Sequence, residues 1–239
     1  SFKSRDFSNL RACIAGGEYV PLSTKHAWRK LTGRTMFSGY GLTETTSLCI
    51  VSPLSEEENL LDTLGIPIPS TQTAIISDKN ELIKSDGVQG ELLIKGPQVL
   101  ESYFNSVESD SAFFKSWFRT GDIVERVQGK YFKLVDRKKE MISVSGNKVY
   151  PNEVEEIILS FSGVIEVGVI GIASEKTGEE VVAFIVLDRE ANINEEDILS
   201  FCKKQMTAFK VPRKVFLKTE LPKTPIGKTS KTELRKLLN

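Results

Sequence analysis

The longest apolar runs in this 239-residue chain are strand-length, and that limits what it can fold into. Val164 to Ala173 and Val181 to Leu187 are rich in β-branched residues and read as strands of a sheet. No run is long and apolar enough for a bilayer-spanning helix. Helical patterns surround these strands. Asn152 to Phe161 puts Val154, Ile157, Ile158 and Phe161 at helical spacing, behind Pro151 as a start signal. Asn194 with Glu195, Glu196 and Asp197 predicts a capped helix whose buried stripe is Leu199, Cys202 and Met206. Ser230 and Glu233 predict a capping box for a last helix that buries Leu234, Leu237 and Leu238.

Upstream of Arg137 the pattern is different. Ala74 to Ser77, Gly90 to Lys95 and Lys130 to Val135 read as short strands between turn residues, a β-rich subdomain from about Ser52 to Val135. Before it come a helix, Leu22 to Leu31, and a short strand, Thr35 to Phe37. The change falls at the charged connector Asp136 to Glu140. The fold class expected is α+β, with domains at 1–137 and 138–239.

Composition narrows the chemistry. Lysine plus arginine (32) balances aspartate plus glutamate (32), so no long-range field draws in nucleic-acid phosphates or an acidic membrane. The tail from Lys214 to Lys236 is interleaved with Glu220 and Glu233 and reads as a solvated helix face. Nucleic acid is not an expected partner. Cys13, Cys49 and Cys202 are far apart, with no CxxC, which argues against a disulfide framework or zinc cluster and fits a reducing, cytoplasmic compartment. The single histidine, His26, sits in a polar segment, Ser23 to Lys30, and reads as a surface residue. Mechanisms that need a histidine base or several imidazole ligands have little to work with. Lysine, carboxylates, hydroxyls and backbone amides remain. No signal peptide opens the chain, and Ser1-Phe2-Lys3 reads as mid-domain surface, so a fragment is expected.

Two phosphate-binding patterns fail on inspection. Gly227-Lys228-Thr229 resembles the end of a P-loop, but the glycine required five positions earlier is Pro222. Gly39-Tyr40-Gly41 begins a GxGxxG whose third glycine is Glu44. Singly, Lys228 reads as a surface lysine, Thr43-Glu44 as a helix start and Thr120-Gly121-Asp122 as a turn. Their order and spacing say more. Tyr40-Gly41-Leu42-Thr43-Glu44-Thr45, then Gly90-Glu91-Leu92 through Gly96-Pro97 to Tyr103-Phe104, then Phe118-Arg119-Thr120-Gly121-Asp122 follow one another. Val135-Asp136-Arg137-Lys138-Lys139 to Ser145-Gly146, with Tyr150-Pro151-Asn152-Glu153-Val154-Glu155, and Leu221 to Lys228 complete the series. The series resembles the adenylate-forming superfamily of acyl-CoA synthetases, luciferases and adenylation domains. The wording of Val144 to Glu153 and Thr207 to Pro212 is similar to bacterial long-chain fatty acid–CoA ligases.

That resemblance implies the β-rich end of a large adenylation domain followed by a small, mobile α+β domain. It implies ATP, magnesium and coenzyme A as reactants or cofactors, and a fatty acid as substrate. Gly16, Gly17, Glu18 and Tyr40 would form the adenine slot, a role suited to glycines and a stacking ring, and Gly41 would also bind the nucleotide. Asp122 and Arg137 would hold the ribose hydroxyls. Thr43 would bind the α-phosphate and Glu44 the magnesium ion. Lys228 would neutralise charge during adenylation, Lys139 would be the hinge, and Gly146 would line the CoA channel, where a side chain would narrow the passage. Ser143 stands where some members carry a second-step lysine, so that role does not transfer. The serine/threonine/glycine-rich phosphate loop and most of the acyl tunnel are missing, so little activity is expected of this chain alone. Ligation of another acid, a catalytically silent nucleotide-binding module and peripheral membrane association of the parent stay open.

Overall fold

The computed structural model describes residues 5–17, 19–55, 57–104, 111–225 and 227–238, and the chain divides into two units, Ser1–Val135 and Asp136–Asn239. Unit 1 begins with β1 (Cys13–Gly16), α1 (Leu22–Thr32) and β2 (Met36–Leu42), with β1 and β2 parallel as a βαβ crossover requires. A 3-10 turn, Thr43–Thr45, leads into β3 (Ser47–Val51), then α2 (Glu58–Leu61) and β4 (Ile66–Pro67), giving a sheet of order β1-β2-β3-β4. The strand read at Thr35 to Phe37 therefore runs further, because Ser38 and Gly39 keep pairing with β1 and Gly39 to Leu42 pair with β3.

A second sheet follows: β5 (Gln72–Ile76), β6 (Leu82–Ile83), β7 (Gln89–Lys95), β8 (Phe113–Phe114), β9 (Trp117–Val127) and β10 (Tyr131–Arg137). Its order is β10-β9-β7-β5-β6, with β8 pairing β9. The β-rich region thus starts at Gln72, later than the reading from Ser52, since β4 belongs to the first sheet. One core joins the sheets: Tyr40, Cys49 and Ile50 of the first meet Ile75, Leu92, Ile94 and Val124 of the second. His26 is exposed and meets Glu58, as a surface residue should. Lys25 beside it is buried, against the reading of a wholly polar segment. Its ammonium donates to Ser38 Oγ at 2.7 Å and the Leu61 carbonyl at 2.5 Å.

Unit 2 contains β11 (Ile142–Val144), β12 (Asn147–Val149), α3 (Pro151–Leu159), β13 (Val164–Ser174), β14 (Gly178–Leu187), α4 (Glu195–Gln205), β15 (Lys214–Lys218) and α5 (Lys231–Lys236). Strand β14 organises it. It pairs antiparallel with β13 from Val164↔Leu187 to Ser174↔Gly178, parallel with β15, and with β11 at Gly178. Both faces are covered, which is why these strands read as near-continuous apolar runs. Val154 and Ile158 of α3 and Ile198 and Cys202 of α4 pack on Val169, Val181, Ala183 and Ile185. The alternate residues Ile170, Val182 and Phe184 face Leu221 and Leu234 of the α5 side.

Helix ends refine the sequence reading. Asn194 accepts from the N–H of Asp197 and closes a capping box. The buried stripe of α4 is Ile198 and Cys202, with Leu199 at its margin; Met206 is the C-cap rather than an interior turn. Ser230 caps α5 through the N–H of Glu233, but the Glu233 carboxylate pairs with Lys236 and the box stays half-formed. Leu234 is buried, whereas Leu237 is 53 % exposed. Among the described residues, no helix is long and apolar enough to cross a membrane.

Asn194→Ala removes the cap acceptor and is expected to cost unit 2 about 1 kcal/mol, with Asn194→Gly costing only a few tenths. Urea denaturation followed by hydrogen exchange on β14 amides measures both; equal losses for the two would mean the cap bond is not the cause.

Candidate active site

Gly16 ends β1 opposite Gly39 of β2, so the exposed Gly16-Gly17 bend lies at the carboxyl end of a parallel strand pair. Glu18 lies outside the described residues. One residue along β2, Tyr40 turns into the core, 8 % exposed, and its hydroxyl donates to Asp122 Oδ2 at 2.6 Å. Burial pushes the Tyr40 hydroxyl well above the ordinary phenol range, and the Asp122 carboxylate pushes it further.

Gly41 marks the place where β2 and β3 come closest. A Cβ there would stand 1.6 Å from the Ser47 carbonyl oxygen. The pairing register slips at this point, so that Cys49 is an extra residue between Ile50↔Tyr40 and Leu48↔Gly41. The chain then reverses through Thr43-Glu44-Thr45. Buried Thr45 secures the reversal: its Oγ1 accepts the Leu42 N–H at 2.9 Å and is within hydrogen-bond distance of the Leu42 and Ser47 carbonyls. Thr43 is left exposed at the tip and Glu44 half-buried beside it. The Tyr103 hydroxyl donates to Glu44 Oε1 at 2.7 Å, and the Glu44 carbonyl accepts the Leu100 N–H. In the sequence Thr45 and Tyr103 stand out only as members of motifs. Their supporting role depends on burial and on a contact across 59 residues, which spacing does not show.

Asp122 is delivered by a β-bulge rather than by the turn that Thr120-Gly121-Asp122 suggests. Leu93 pairs with Arg119 and Glu91 with Ile123, so three residues of β9 stand opposite Leu92. Gly121 takes up the extra length at φ +69°, a left-handed conformation open to glycine. Thr120 Oγ1 bridges the interrupted ladder, donating to the Leu92 carbonyl at 2.9 Å and accepting the Asp122 N–H at 3.1 Å. Asp122 is left only 2 % exposed.

In unit 2, Arg137 ends β10 and Lys139 lies in the 3-10 turn Lys138–Glu140, both exposed. Gly146, at φ +80°, forms the tip of the β11–β12 hairpin with Ser145 at φ 50°. Two successive left-handed residues make a tight primed turn, and nothing lies within 4 Å of a Cβ added at Gly146. Within this unit the glycine is required by backbone conformation, a reason the sequence reading did not give. Lys228 sits on the return arm of a loop bridged at Lys223↔Thr229. Thr224 grips its backbone twice: the Thr224 N–H donates to the Lys228 carbonyl at 2.7 Å, and Thr224 Oγ1 accepts the Lys228 N–H at 3.1 Å.

All three thiols are pushed up by burial, Cys202 to about 11, so none offers a thiolate at neutral pH. Among the described residues no group of three or more His, Cys, Asp or Glu side chains could hold a metal ion. The glycine bend and the hydroxyl–carboxylate turn lie at the carboxyl ends of parallel strands, the edge at which open α/β sheets bind ligands.

Comparison with known proteins identifies the class further. The family model described as AMP-binding enzyme matches residues 1–104, and that described as AMP-binding enzyme C-terminal domain matches residues 153–228. The long-chain-fatty-acid–CoA ligase of Escherichia coli O157:H7 is 38% identical over 235 residues, 98% of this chain and 41% of that protein. The oxalate–CoA ligase of Arabidopsis thaliana is 37% identical over 221 residues, 92% of this chain and 42% of that protein. ATP-bound MatB from Rhodopseudomonas palustris superposes with a TM-score of 0.89 at 29% identity, over 95% of this chain and 45% of that one. The chain belongs to the adenylate-forming family of AMP-binding enzymes. It spans about two fifths of the length of these curated relatives.

The folded chain holds the Tyr40 proton more tightly than the unfolded chain does. The pair therefore adds stability at pH below the ordinary phenol value of 10.0 and loses it as pH rises through the raised one. Tyr40→Phe is expected to remove a tyrosinate absorbance step lying well above pH 10 in a spectrophotometric titration; loss of an ordinary step near pH 10 would refute the pairing.

Proposed function

We propose that this chain is the C-terminal part of an acid–thiol ligase. The enzyme activates a carboxylic acid with ATP to an acyl-adenylate and transfers the acyl group to coenzyme A, and its substrate is a long-chain fatty acid. The observation that carries the reading is the rigid turn presenting Thr43 and Glu44 beside the Tyr40–Asp122 pair, in a chain of the AMP-binding family.

In the first half-reaction the acid carboxylate, already ionised at neutral pH, attacks the α-phosphorus and pyrophosphate leaves. No base is needed; negative charge must be neutralised. Lys228 supplies a flexible point charge from a fixed backbone mount, and Thr43 donates its hydroxyl to the α-phosphate. Asp122 accepts from the ribose and Arg137 donates to it. The bend at Gly16-Gly17, with Tyr40 and Gly41, borders the base. Glu44, oriented by Tyr103, fits a magnesium ion as its one protein carboxylate, with phosphates and water as the other ligands. Such an ion would neutralise phosphate charge. In the second half-reaction the CoA thiol attacks the acyl carbonyl and AMP leaves, with Lys139 as the pivot of a domain rotation and Gly146 beside the thiol's path. The phosphate loop and most of the acyl tunnel belong to the remaining three fifths of such an enzyme, so this chain alone turns over little substrate.

Identity over 98% of the chain to a long-chain ligase supports the fatty acid. The oxalate ligase, 37% identical, favours a second reading in which the same chemistry serves a different acid.

The test is pyrophosphate and acyl-CoA formation by the full-length parent with ATP, magnesium, CoA and a panel of acids. Long-chain products are expected, with Lys228→Ala lowering the adenylation rate by about 10²- to 10³-fold. Glu44→Gln is expected to raise the magnesium concentration needed for half-maximal rate. Activity confined to short or aromatic acids would discard the fatty acid and keep the mechanism. Absence of pyrophosphate release with every acid would leave a nucleotide-binding module.

A further inference from the structure

In unit 2 a buried carboxylate, Asp136, and a half-buried one, Glu155, both hold helix α3, and Lys231 meets the second. Asp136 is 2 % exposed; its Oδ1 accepts the Arg137 N–H at 2.6 Å and its Oδ2 the Asn152 N–H at 2.8 Å. Asn152 is in the first turn of α3, whose N-cap residue, Tyr150, makes no side-chain cap bond. Asp136 therefore caps that helix from sixteen residues away. Glu155, also on α3, accepts the Val169 N–H of β13 at 2.8 Å and meets the Lys231 ammonium at 3.2 Å. Asp136 and Glu155 thus meet the same helix three residues apart, Asp136 at the Asn152 N–H and Glu155 through its own side chain. Burial pushes both carboxyls up, and Lys231 is foremost among the groups that pull them back.

One turn further along α5, Arg235 pairs with Glu140 at 2.9 Å. Asp136 and Glu140, like Lys231 and Arg235, are four residues apart. The last helix thus meets the segment by which the chain enters unit 2 directly at Glu140, and meets the α3 helix that Asp136 caps at Glu155. Lys231 follows Lys228 by three residues, and Asp136 immediately precedes Arg137.

We propose that Lys231 is a positioning residue for adenylation, holding the Lys228 loop and the Arg137 segment together in the adenylation pose through Glu155 of α3, the helix that Asp136 caps. The Arg235–Glu140 pair is a second, weaker tie, since Arg235 is 41% exposed and screened by solvent. The reaction named rests on the roles proposed above for Lys228 and Arg137; the tie itself rests only on these contacts. A buried charge left without its partner rearranges its surroundings, and a displacement of about 1 Å can cost on the order of 100-fold in rate.

The experiment has two readouts. Hydrogen exchange on this chain follows the Arg137 and Asn152 amides in Lys231→Met, Lys231→Arg and Arg235→Ala. Lys231→Met is expected to speed both amides about tenfold or more while β13 and β14 amides keep their rates, with Lys231→Arg close to wild type. In the full-length parent, Lys231→Met should lower kcat for pyrophosphate release about tenfold or more with KM for ATP within about threefold. Lys231→Arg should restore most of it, and Arg235→Ala should lose less than about threefold. If Lys231→Met also loosens β13 and β14, Glu155→Gln replaces it under the same criteria. Unchanged exchange at Arg137 and Asn152, or an unchanged kcat, overturns the proposal in an active parent. A parent that releases no pyrophosphate with any acid overturns it by removing the reaction, and the exchange data then show that failure to be distinct from loss of the tie.

Discussion

A carboxylate cannot be left in an apolar core without partners, and in unit 1 that constraint is met by the bond between Tyr40 and Asp122. The two residues come from different sheets, so the bond fixes the first sheet to the second at the point where both carry site residues. Around it, each strand gives up regular pairing. Strand β9 bulges at Gly121 so that Asp122 can turn inward, and β2 slips against β3 so that the chain can reverse at Thr43. Both irregularities are stabilised by a threonine hydroxyl, that of Thr120 in one case and Thr45 in the other. Bulges beside functional positions re-aim side chains, and here the re-aimed residues are those that the family motif contains.

Unit 2 meets the same constraint differently. Asp136 takes the N–H of a first helical turn, and Glu155 takes the Val169 N–H of β13 and pairs with a lysine of the last helix. No side chain from another sheet is needed, because a helix start and the edge strand β13 present amides that would otherwise lack acceptors. The position of α5 is thereby set by more than the apolar contact of Leu234 with Ile170, Val182 and Phe184.

Much of this was legible in the sequence, and the limits follow from its local character. Strands β13 and β14 announce themselves because both faces are buried, and α4 because Asn194 carries its own cap. In the stripe of α4, Cys202 is interior as its spacing predicts, and Ile198 takes the place read for Leu199. Ile198 and Leu199 are both apolar, and only packing against β-strand residues decides which is interior. Leu237 was assigned to the core on spacing, but α5 ends at Lys236 and leaves it in solvent. Thr120-Gly121-Asp122 looked like a turn because the left-handed glycine of a bulge carries the same local signature. Lys25 was hidden among polar neighbours; its burial is set by Ser38 and the Leu61 carbonyl, both distant in sequence. The candidate site residues follow from motif order, while Thr45 and Tyr103, which hold the turn, need three-dimensional contacts to appear.

The double grip of Thr224 on the Lys228 backbone has a consequence for how that charge can be delivered. Ordering a free residue costs about 1–2 kcal/mol of backbone entropy, and a lysine side chain carries roughly another 2 kcal/mol of rotamer freedom. With its N–H and carbonyl already held, Lys228 has lost the first quantity on folding. Any further ordering of Lys228 therefore falls on its side chain and not on its backbone. In the adenylation role proposed for it, the entropy cost of placing the charge would be that of side-chain rotamers.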